Sequence, residues 1–171
     1  MLLVLIMVIG MIPLAVSAEA PETVYISVSF DGNYLTAGTG TNKGKPMAYL
    51  PVTMKQLKTV KLSTYELADY AYDADGDGTD EITALHLFVY AHEKILGTKW
   101  KNNVTVSGEA GNLTIQSGLF GFTANMAYNL NGAANATSID RIVLQSGDFV
   151  DIAGYTSGDY SSAPSAGFRY F

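Results

Sequence analysis

Five carboxylates fall within nine residues in the run Asp73-Ala74-Asp75-Gly76-Asp77-Gly78-Thr79-Asp80-Glu81. Like charges this close repel, and the repulsion is relieved when their oxygens turn onto one hard cation. Side chains at alternate positions converge only if the chain curls, and Gly78, sixth in the run, supplies the backbone freedom for a sharp turn. The expected ligand set for calcium is Asp73, Asp75 and Asp77 through their carboxylates, Thr79 through its backbone carbonyl, and Glu81 directly or through water. The twelfth position, where an EF-hand places a bidentate glutamate, is Ala84. The run therefore reads as a calcium loop of the wider Asp-x-Asp-x-Asp-Gly kind. An acidic surface turn without metal is the competing reading.

The other candidate groups carry no visible signature of catalysis. Gly38-Thr39-Gly40-Thr41-Asn42-Lys43-Gly44-Lys45 has the composition of a phosphate loop. Counting back from Gly44-Lys45, however, puts Thr39 where the first glycine is required, and Pro46 stands where a hydroxyl residue is required. His86 and His92 stand six residues apart, about 240° around a helix, so they cannot chelate one metal from one face. His86 is expected as a buried or capping residue instead of a general base, and no nucleophile elbow occurs. The eleven tyrosines would give rigid contact area to sugars or proteins where exposed, but burial in strands is the default expectation.

The elements that must position the acidic loop follow from periodicity. Val24, Ile26, Val28 and Phe30 alternate with Tyr25, Ser27 and Ser29, which predicts a half-buried strand turned by Asp31-Gly32-Asn33. Residues 37–45 read as a loop, 47–54 as extended chain and 58–62 as a short alternation. One helix is expected over about 83–96, N-capped by Thr83 and stopped by Gly97, with apolar residues around most of its circumference. Short strands are expected at 104–106, 111–115, 125–130, 141–144 and 149–152, with tight turns at Asn131-Gly132 and Gly147-Asp148.

Residues 1–18 carry no charge and end in Val16-Ser17-Ala18, the pattern of a secretory signal peptide, with a membrane anchor as the alternative. The remaining 19–171 are enough for a single domain. The absence of cysteine excludes disulfides, thiol catalysis and thiolate zinc sites, and leaves calcium as the available cross-link. Net charge is −6; outside the acidic loop the acids and bases nearly balance, and Lys55, Lys58 and Lys61 read as a solvated face. Binding to nucleic acid is not expected. No membrane span is expected in the mature chain.

The stretch from Glu81 to Tyr155 resembles the transcobalamin-like C-terminal domain family. The resemblance is carried by residues 83–93, by Val104-Thr105-Val106-Ser107-Gly108 with Gly118-Leu119-Phe120-Gly121-Phe122, by Tyr128-Asn129-Leu130-Asn131-Gly132, and by Gly147-Asp148-Phe149-Val150. It implies an α+β, β-grasp-like fold, a mostly antiparallel curved sheet packed on one main helix. It also implies a secreted or cell-surface bacterial protein. The function expected is a non-catalytic binding or architectural module stabilised by Ca2+. Its partner would be an extracellular protein, a glycan or neighbouring domains of a larger surface protein. A small-ligand, corrinoid-like binder and a secreted hydrolase are the alternatives. Corrinoid binding itself is not carried over, because the helical partner domain of the animal carriers has no counterpart here.

Overall fold

The computed structural model describes residues 22–122, 125–134 and 136–156. The expected signal peptide and the tyrosines at 160 and 170 lie outside the described residues. Among the described residues eight strands form: β1 (Thr23–Phe30), β2 (Asn33–Tyr34), β3 (Leu50–Thr53), β4 (Thr105–Ser107), β5 (Thr114–Ser117), β6 (Asn125–Leu130), β7 (Ala133–Ala134) and β8 (Phe149–Tyr155). The main sheet runs β2-β1-β8-β6-β7, with β3 also on β1, and β4-β5 form a separate hairpin.

The fold is α+β with a mixed sheet. The first and last strands, β1 and β8, lie side by side and parallel from Tyr25↔Phe149 to Phe30↔Gly154. The other pairings of this sheet are antiparallel. Asp31 and Asn131 have φ of 44° and 52°, and each is followed by a glycine with positive φ. These two-residue turns match the twist of the strands they join, β1 to β2 and β6 to β7.

The expected helix comprises α2 (Ala84–Tyr90) continued by a π-helical turn at Ala91–Ile95, and Gly97 follows at φ 80°. It is not the sole helix. Single turns form at α1 (Met54–Leu57) and α3 (Trp100–Asn103). Leu85, Leu87, Phe88 and Val89 of α2 join Val24, Ile26 and Val28 of β1 and Val150 and Ile152 of β8 in one core. Phe88 meets the Tyr128 ring of β6 edge-on at 6.0 Å.

The glycine-rich loop has a structural task. Gly38 and Thr39 donate their N–H groups to the Ile95 carbonyl at 2.8 and 3.0 Å, and Thr39 Oγ1 donates to the Lys94 carbonyl at 2.5 Å. The loop thus covers the carbonyls that every helix end leaves unpaired. A Cβ at Gly38 would overlap the Leu96 carbonyl oxygen, which is why glycine stands there.

Three local expectations are corrected. Residues 58–62 form no strand; Leu62–Tyr65 is a 3-10 turn. Residues 141–144 make only the isolated Thr83↔Val143 bridge, because this segment is spent on the start of α2. The carbonyls of Ile142 and Ile139 accept from Ala84 and Leu85 N–H at 2.8 and 3.0 Å. Nor is β1 half-buried in the expected alternation, since Ser27 and Ser29 are buried as well. Their hydroxyls make burial tolerable. Ser27 Oγ accepts the Tyr49 N–H at 2.8 Å, and Ser29 Oγ donates to the Ile152 carbonyl at 3.4 Å.

Among the described residues no helix is long and apolar enough to cross a membrane.

Candidate metal centre

The acidic loop is wound around Asp73. Its Oδ1 accepts from Gly76 N–H at 2.7 Å and Asp77 N–H at 3.2 Å, and its Oδ2 from Gly78 N–H at 2.8 Å. Asp75 Oδ1 accepts from Asp77 N–H at 3.1 Å, and Asp77 Oδ1 from Thr79 N–H at 2.7 Å. Gly76 and Gly78 sit at φ 77° and 85°, a left-handed conformation that side chains disfavour. Three backbone donors, that of Gly78 foremost, hold the Asp73 carboxyl below the usual carboxylate range against the upward pull of partial desolvation.

One carboxylate oxygen from each of Asp73, Asp75 and Asp77 lies within 4.8 Å of the other two at the surface. The expected carboxylate trio is therefore brought together. The cluster does not extend to Glu81. That residue instead closes the base of the loop, its N–H donating to the Tyr72 carbonyl at 2.6 Å. Thr79 is exposed and follows the trio through its bond to Asp77.

The loop stands on a brace that no spacing in the sequence announces. Arg141 Nη1 donates to the Ala71 carbonyl at 3.3 Å, and its guanidinium lies 4.5 Å from the centre of the Tyr72 ring. It is held from behind by Asp140, which is fully buried, at 3.3 Å. Asp140 Oδ2 also accepts the Gly111 N–H at 2.6 Å, and Oδ1 accepts the Ser138 hydroxyl. The partners lie some seventy residues apart in sequence, so no local motif could reveal them.

Both histidines hold backbone. Thr83 donates its N–H to His86 Nδ1 at 3.1 Å, a reciprocal cap at the start of α2. Burial pushes the His86 imidazole down to about 4, with Lys61 adding to the fall and Asp80 opposing it. His92 is fully buried, accepts the Phe120 N–H at Nδ1 at 2.9 Å and packs against the Trp100 and Phe120 rings. Burial also pushes it down to about 4, opposed by Glu93. As expected of His86, the ring is buried and caps.

No protein-family profile, no curated protein and no solved structure matches this chain.

Proposed function

We propose that this chain is a β-grasp-like, transcobalamin-like module of an extracellular or bacterial surface protein, non-catalytic, with one Ca2+ in the acidic loop. The observation that carries the metal is the convergence of Asp73, Asp75 and Asp77 on one point around a backbone already curled. Such a loop loses little conformational freedom when an ion enters. The Thr79 carbonyl and Glu81, through water, complete the shell. The β-grasp reading is supported by α2 lying on a sheet whose first and last strands are central and parallel. The module reading is supported by both histidines being occupied with backbone N–H groups at Nδ1.

Calcium bound to the folded state alone stabilises by RT ln(1 + [L]/Kd), about 1.4 kcal/mol at millimolar calcium for a Kd of about 10⁻⁴ M. Adding chelator is expected to lower the melting temperature, and Asp75→Ala to erase the difference. Asp80→Ala, outside the trio, is expected to leave most of it. Identical melting curves with calcium and with chelator, together with no metal by elemental analysis, would refute the site.

A further inference from the structure

A cleft of ≈ 650 Å³ opens between residues 58–63 and residues 78–82, with His86 in its lining. That volume is in the range of small-molecule sites, about 300–1,000 Å³. The His86 side chain belongs to a residue only 4% exposed. Because Nδ1 accepts the Thr83 N–H, the ring proton resides on Nε2. Nε2 has no hydrogen-bond partner among the described residues. Nε2 is not among the buried atoms that lack a partner, so it reaches the open cleft, where its N–H can donate to an acceptor on a ligand.

The charges around the cleft define that acceptor. Lys58 and Lys61 are exposed in its lining, and Asp80 lines it too. None of the three forms an ion pair among the described residues. With His86 neutral, two cations and one carboxylate leave a surplus of one positive charge, which suits a monoanion. An aliphatic acid would satisfy the lysines and His86 but leave Asp80 facing carbon. A hydroxylated ring supplies O–H donors to Asp80, acceptors to Ser63 and Thr79, and an apolar face to Val60 and Ile82.

We infer that this cleft binds a sugar acid, its carboxylate held by Lys58, Lys61 and the His86 Nε2–H and its hydroxyls by Asp80 and Thr79. The site goes beyond the calcium reading, since Asp73, Asp75 and Asp77 do not line it, and of the proposed calcium shell it shares only Thr79, through the side chain and not the carbonyl.

The probe is D-glucuronate, titrated into the full chain by calorimetry while the imidazole resonances of His86 are followed by NMR. Saturable binding that moves those resonances is expected, with D-glucose and inorganic phosphate at equal concentration leaving them in place. Lys58→Ala with Lys61→Ala, both on exposed side chains, should weaken binding about tenfold or more without unfolding the domain. His86→Glu keeps an acceptor for the Thr83 N–H at the capping position, reverses the charge facing the ligand, and should abolish binding. No binding of glucuronate at millimolar concentration overturns the site. So does equal binding of glucose or phosphate, or affinity unchanged by the double lysine variant. A parallel calcium titration separates the two readings. Glucuronate bound by a protein that takes no calcium removes the metal and leaves the cleft, and calcium bound by a protein that ignores glucuronate removes the cleft alone.

Discussion

Replacement of Asp140 by alanine is expected to destabilise the domain by about 3 kcal/mol and to weaken the proposed calcium binding at the same time. The carboxylate has no solvent exposure, accepts the Gly111 N–H and the Ser138 hydroxyl, and backs the Arg141 guanidinium. Its removal strands a buried amide and a charge, a change that costs about 3–5 kcal/mol for a fully enclosed pair. The lower end applies because the Arg141 side chain keeps 21% of its surface in water. The effect on calcium follows from Arg141, whose hold on the Ala71 carbonyl and the Tyr72 ring fixes the chain just before the first aspartate. Asp140→Asn, which retains an acceptor for Gly111, should lose less. Urea unfolding of both variants, paired with calcium titration, checks the claim. A loss within the range of about 0.5 kcal/mol typical of surface changes would show that the brace is ornamental.

Acidification is expected to remove a still larger share of the stability, and to do so above the carboxylate range. The folded pKa of His86 and of His92 is about 4 against 6.5 for the free side chain. Between those values the unfolded chain binds more protons than the folded one, so stability falls as pH drops from 6.5 and levels off below 4. A displacement of this size corresponds to about 3 kcal/mol for each ring. Together they rival the ~5–15 kcal/mol that holds a typical domain folded. Asp73 titrates in a separate window: its pKa is lowered from 3.8, so its contribution is present above that value and is lost only as pH falls through the lower folded value. His92→Asn, which offers Phe120 an acceptor but does not titrate, should take away about half of the dependence between pH 6.5 and 4. A stability profile flat across that window in the parent protein would contradict the burial of both rings.

The parts of this fold legible in the sequence are those governed by neighbours along the chain. Val24, Ile26 and Val28 announced β1 by alternation, Thr83 and Gly97 bracketed the long helix, and Asn131-Gly132 marked the turn between β6 and β7. The aspartate trio was legible for the same reason, since its members converge within one turn of loop. What failed to show depended on partners far away. The alternation at 58–62 serves a 3-10 turn, and residues 141–144 became a cap for α2 instead of a ladder. Ser27 and Ser29 looked like a wet face because their donor and acceptor, Tyr49 N–H and the Ile152 carbonyl, come from distant strands and loops. The same holds for exposure among the tyrosines. Tyr70 and Tyr155 are buried, whereas Tyr49 stands 55% exposed, stacked on Tyr25 with ring centres 4.4 Å apart.

The parallel pairing of β1 with β8 also decides how the domain carries mechanical load. Tension applied where the chain enters at Thr23 and leaves at Tyr155 pulls the two strands lengthwise in opposite directions. The rungs from Tyr25↔Phe149 to Phe30↔Gly154 are then strained together in shear, whereas a hairpin pulled at its open end peels one rung at a time. Rupture of the domain under a force probe should accordingly be a single abrupt event, and stepwise peeling at low force would speak against the central parallel pair. A domain pulled from these two ends resists extension through its geometry, independently of how stable it is in solution.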